Sequence, residues 1–128
     1  MVDTAPLRYL ATTPADARRF VRAALRRWPS SMIDAAELLT SEVVTNAIVH
    51  GRSTTTPIGV GSNGSTIRIE VDDPSQSQPV TVDKTDPTVP GGWGIGIVGT
   101  YASAWGVASH PGDGKTVWFE LDSALQPV

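Results

Sequence analysis

Residues 67 to 72 constrain the fold more than any other stretch, because Ile67, Ile69 and Val71 alternate with Arg68, Glu70 and Asp72. Successive side chains of an extended strand point to opposite faces, so this strand is apolar on one side and wet on the other. Such a strand belongs to a sheet covered on one face, and the chain must supply the cover. "TTTPIGVGSNGSTIRIEVDD" reads as a hairpin about the turn "SNG", and "WGVASH" with "KTVWFEL" as a final hairpin across "PGDG". The cover is legible upstream. In "TTPADARRFVRAALRRW", Thr13 can cap a helix, Pro14 suits its first position and Asp16 favours its positive end. Ala17, Phe20, Val21, Ala24, Leu25 and Trp28 then recur at helical spacing. Pro29 and Ser30 break that helix, and a second is expected from about Ser31 to His50, stopped by Gly51. "LRYLAT", residues 7 to 12, adds a short edge strand. The expected fold is α+β: a two-layer sandwich with helices on one face of a mixed, mostly antiparallel sheet.

A length of 128 residues suits one domain, and 40% hydrophobic residues can build its core without covalent staples. The absence of cysteine excludes disulfides and thiolate metal sites, and His50 and His110 do not stand in a zinc-ligand spacing. A formal net charge of −3 with no basic block argues against nucleic acid as a partner. No apolar run reaches the length of a membrane span, and "MVDTAPLRYL" lacks a signal-peptide core. The expectation is a soluble, cytoplasmic protein. Arg18, Arg19, Arg22, Arg26 and Arg27 cover the outer faces of the first helix and read as a solvated surface. Residues 73 to 92, "DPSQSQPVTVDKTDPTVPGG", are rich in Pro, Ser, Thr and Asp without periodicity, and a loop of that length in a compact domain is usually functional.

Three stretches could carry chemistry. In "SEVVTNAIVHG", Glu42, Asn46 and His50 recur every four residues and therefore share one stripe of a largely apolar helix. One reading is a set of hydrogen-bonded core groups. The other is a hydrated magnesium site, with Asn46 as a direct oxygen ligand and Glu42 acting through water or as a base. Asp73 ends a strand before Pro74. It reads as a turn-starting residue, or as an acceptor for an exocyclic amine that would select adenine over guanine. "GGWGIGIV", residues 91 to 98, opens a helix-like run with glycines that let backbone N–H groups approach phosphate oxygens, or that simply form a flexible turn. Gly114, Lys115 and Thr116 begin the last strand.

The order of these pieces resembles the GHKL ATPases with the Bergerat nucleotide fold. "ELLTSEVVTNAIVHG" looks like their N-box, "VDDPS" and "GGWGIGIV" like their two glycine boxes, and "GKTVWFEL" like their terminal G-T box. The short chain and the "SEVVTNAIVHG" form most resemble the anti-sigma-factor serine kinases. The resemblance implies ATP and Mg²⁺ as cofactors, with Asn46 coordinating the metal and Glu42 orienting or deprotonating a serine hydroxyl. It implies that Asp73 reads the adenine amine, that Gly92, Gly94 and Gly96 form the lid and phosphate turn, and that Thr116 supports the Asp73 network or a nearby water. His50 would lie near the end of the pocket, and residues 74 to 92 would form a lid. The implied partners are a sigma factor and a STAS-type anti-anti-sigma protein, the latter phosphorylated on serine, with a homodimer through the sheet edge as the family's habit. Trp93, where many relatives carry a basic residue, and a lid with Lys84 as its one cation favour an alternative. That alternative is a catalytically silent or nucleotide-free binding module. The catalytic half of a sensor histidine kinase fits poorly, since no sensor or dimerising segment is evident.

Overall fold

The alternation of Ile67, Ile69 and Val71 with polar residues persists in three dimensions. A computed structural model describes residues 7–51, 54–73, 102–110 and 114–123, with the backbone alone for 49–51. Thr66–Asp73 forms β3, in which Ile67, Ile69, Val71 and Asp73 are buried while Thr66, Arg68, Glu70 and Asp72 are half-exposed. The other strands are β1 (Leu7–Ala11), β2 (Thr56–Ser62), β4 (Ala104–His110) and β5 (Gly114–Asp122). They form one sheet in the order β1-β2-β3-β5-β4, with every neighbouring pair antiparallel. The expected mixed sheet is thus wholly antiparallel among the described residues, because each neighbour is a hairpin partner or a strand returning after a long connection.

Two helices cover one face of this sheet. The first, α1 (Pro14–Ala24), begins where Thr13 accepts a hydrogen bond from the Asp16 amide at 2.9 Å, and Pro14 needs no such partner. Asp16 also accepts from the Tyr9 hydroxyl at 2.6 Å and the Thr12 amide at 3.0 Å, tying β1 to the helix start. Those hydrogen bonds, the Tyr9 hydroxyl first, hold the Asp16 carboxyl below its ordinary range. The apolar pattern runs on to Trp28, but the helix stops at Ala24. The Leu25 backbone N–H donates to the Val21 carbonyl as a cap, and a turn closed by the Trp28 N–H donating to the Leu25 carbonyl carries both side chains back to the core. The second helix, α2 (Ser30–Gly51), matches the sequence expectation within one residue at each end.

Leu39, Val43, Val44 and Ala47 of α2 and Val21 and Leu25 of the first helical segment meet Ile58, Ile67, Ile69, Phe119 and Leu121 of the sheet in one core. Burial of such side chains contributes roughly 1.5–3 kcal/mol each, which makes the sandwich self-sufficient without disulfides. The Arg stripe of α1 is less purely solvated than its composition suggests. Arg18 donates to the Ser41 hydroxyl at 2.8 Å, and Arg22 pairs with Asp34 and Glu37 of α2. The hairpin turn is Asn63–Gly64–Ser65, with Gly64 at a φ of 98° that other residues adopt at a cost. The Thr13 cap offers a simple check. Thr13→Ala should lower stability by about 1 kcal/mol, read as a drop in the urea midpoint with an unchanged slope.

Candidate functional site

The sheet has one end where several candidate residues gather. β3 runs toward that end and finishes at Asp73, and β5 starts there with Gly114 and Lys115. β2 also starts there, since its Ile58 pairs with Val71 near the end of β3. Only residues 52 to 55 separate the end of α2 from β2. The five Cα–Cα steps from Gly51 to Thr56 span at most about 18 Å, so the C-terminal turns of α2 must lie at the same end as Asp73. The backbone of His50 belongs to those turns, and Asn46 and Glu42 follow one and two turns back along the helix. Glu42 and Asn46 are half-buried at the border of the packed face, and Asn46 is engaged in further interaction there. A buried helix face with a polar margin is what a line of acid and amide beside apolar residues produces.

Asp73 and Lys115 are paired in strand register and both point toward the helices, as do Val71 and Val117 beside them. The Lys115 ammonium lies 3.1 Å from the Asp73 carboxylate, and each side chain is only 7% exposed. This is a buried ion pair across two central strands.

Thr116 goes the other way. Its hydroxyl donates to Asp72 at 2.7 Å, and His110 Nε2 lies 2.8 Å from the same oxygen. Because the single hydroxyl proton is given to Asp72, the imidazole N–H donates to Thr116. Thr116, Asp72 and His110 therefore cluster on the outer face of the sheet, away from the helices. Thr116, expected to support the Asp73 network or a nearby water, faces away from Asp73, whose ion-pair partner is Lys115, one residue earlier. The physical reason is strand parity: Val117, Phe119 and Leu121 are buried and face inward, which forces Lys115 inward and Thr116 outward. That parity was present in "GKTVWFELD" and could have placed Lys115 on the inner face, though not opposite Asp73.

The same outer face carries Trp118, whose ring has the Arg68 guanidinium 4.3 Å from its centroid. Gly106 lies opposite Trp118, and any Cβ there would meet the indole at 2.9 Å. Trp28 and Trp105 pack on the core, as simple structural residues would. The segment from 74 to 101, which holds the expected lid with Lys84 and Trp93 and the glycines Gly92, Gly94 and Gly96, lies outside the described residues, as does the His50 side chain.

A family model for the histidine kinase-like ATPase domain matches residues 7–121, nearly the whole of the described sandwich. The chain belongs to the histidine kinase-like ATPase family. That membership agrees with the architecture, two helices packed on a five-stranded antiparallel sheet. No curated protein matches the chain. Among the described residues, no helix is long and apolar enough to cross a membrane.

Proposed function

We propose that the chain is an ATP- and Mg²⁺-binding regulatory protein of the anti-sigma-factor kinase type, transferring the γ-phosphate to a serine of a STAS-type partner and sequestering a sigma factor. The observation that carries this reading is Asp73. It is a buried carboxylate facing the helices at the sheet end where the Glu42–Asn46 line of α2 also arrives. A buried carboxylate is costly unless it has a task or a partner. As an acceptor, Asp73 suits the exocyclic amine of adenine.

The donor set fits magnesium. Among the described residues no group of three or more His, Asp or Glu side chains gathers into a metal cluster. One amide oxygen with one carboxylate nearby is enough for a cation that keeps waters and shares phosphate oxygens. Asn46 would hold Mg²⁺, and when bound the ion would neutralise phosphate charge. Glu42 orients the serine hydroxyl and accepts its proton. Gly92, Gly94 and Gly96 would allow backbone N–H groups to approach the phosphates, and His50 would lie near the end of the pocket. Phosphoryl transfer asks chiefly for positioning and charge neutralisation, so this short set suffices chemically.

One observation favours a second reading, the nucleotide-free binding module: the Asp73 carboxylate already has an ion-pair partner in Lys115. Thermal melting separates the two. Mg-ATP at about a hundred times its dissociation constant should add roughly 2.7 kcal/mol. For a domain of this length that is a rise in Tm on the order of 10 °C. Asp73→Asn, compared with its own ligand-free melt, should lose most of the rise. No shift with any nucleotide would favour the binding module.

A further inference from the structure

We propose that Lys115 is the second half of the base-reading element, donating from its ammonium to the ring nitrogen N1 of adenine while Asp73 accepts from the neighbouring amine. The inference rests on the ATP-binding reading above and adds to it a specificity-determining residue. Three observations point the same way. Lys115 and Asp73 sit directly opposite each other on β5 and β3 and face the helices together. Their side chains are 7% exposed and 3.1 Å apart, so donor and acceptor are held side by side. And a buried ion pair is seldom a source of net stability, since an apolar pair of similar size usually does as well or better. The fold alone therefore gives no reason for the pair.

The chemistry of the base supplies one. The Watson–Crick edge of adenine presents a donor, the exocyclic amine, immediately beside an acceptor, N1. A lone carboxylate satisfies only the donor and leaves N1 desolvated, which costs affinity. An ammonium carries three protons and a carboxylate several acceptor sites, so the bond between them saturates neither. Because the two groups ride on neighbouring strands in fixed register, their left-to-right order cannot be exchanged. Guanine and hypoxanthine carry an acceptor at position 6 and an N–H at position 1. Each would set its oxygen against Asp73 and its N–H against Lys115. The pair thus selects adenine at two adjacent atoms instead of one.

The test is calorimetric titration of the full chain with Mg-ATP and with Mg-1-deaza-ATP, whose ring carries C–H in place of N1, on wild type and on Lys115→Met. Loss of a hydrogen bond to a charged donor should weaken 1-deaza-ATP about ten- to a hundred-fold against ATP in the wild type. Lys115→Met should weaken ATP by a similar factor and bind the two nucleotides alike. The wild-type comparison needs no variant, so it decides the matter even where Lys115→Met does not fold. Equal binding of both nucleotides by the wild type overturns the proposal. A wild type that binds neither, beside a Lys115→Met that binds ATP, overturns it in another way. Lys115 then blocks the pocket, and Asp73 keeps its role. Binding of nucleotide by neither protein overturns the ATP reading as well.

Discussion

Asp73→Ala is expected to lower the stability of the ligand-free protein by about 3–5 kcal/mol, far more than a surface carboxylate would. The reason is what the substitution leaves behind. Lys115 is buried with the Asp73 carboxylate 3.1 Å away, and removing that carboxylate takes a charge partner from an ammonium beside Val71 and Val117. Lys115→Met alone should cost a comparable amount by taking the ammonium away from the buried Asp73 carboxylate. The double variant Asp73→Ala/Lys115→Met should recover most of the loss, because it removes both charges and restores apolar volume to an apolar layer. Urea unfolding of the four proteins, at constant slope, gives the coupling energy directly. A double variant as unstable as the sum of the singles would mean that the pair contributes nothing as a pair. The same logic makes Asp73→Ala a poor probe of nucleotide binding by itself, and it is why each variant's ligand response belongs against its own unliganded melt.

The sequence disclosed the scaffold well because the scaffold is built from strong local signals. Thr13, Pro14 and Asp16 mark the start of α1 by capping chemistry that does not depend on the rest of the fold. Gly64 marks the hairpin turn because its φ of 98° excludes most alternatives. The alternation in β3 announced a one-faced sheet, and the helical spacing of the 13–28 stretch with the largely apolar helix after it announced the covering layer. What local signals could not give was the end of α1. Leu25 and Trp28 satisfy the helical spacing equally well whether the backbone stays helical or turns back with the same side chains buried.

The site was legible in its parts but not in its pairing. Asp73 ends β3 at the end of the sheet to which the C-terminal turns of α2 return, and Asn46 and Glu42 follow one and two turns back from that helix end. The partner of Asp73, however, is set by strand register between residues 42 positions apart, and no local rule reaches that far. A motif reading drew attention to the hydroxyl of Thr116, while the pleat turned that hydroxyl to Asp72 and His110 and turned Lys115 to Asp73. A shift of one residue along a strand exchanges the faces of every side chain, so the difference between Lys115 and Thr116 is the difference between the inside and the outside of the sheet.

That outcome sharpens the second large prediction, which concerns Glu42. Glu42→Gln keeps the length and hydrogen-bonding shape of the side chain and removes its ability to take a proton. If the proposed serine phosphotransfer is this chain's activity, it should fall by about 10²–10⁴-fold, the range for loss of a positioned general base. The Tm rise with Mg-ATP should stay close to the wild-type value, because the proposed base-reading pair and Asn46 are untouched. The geometry supports this separation of roles. Glu42 precedes Asn46 by four residues, about 6 Å of helix rise on nearly the same face, enough to set an attacking hydroxyl beyond a phosphate held at Asn46. Both side chains are half-buried at the margin of the packed face, so a substitution of equal size there should leave the core intact. Labelled ATP, the purified partner and the two proteins are all the assay needs. A Glu42→Gln protein that transfers phosphate at the wild-type rate would remove Glu42 from the chemistry and leave Asn46, Asp73 and Lys115 as parts of a binding site alone.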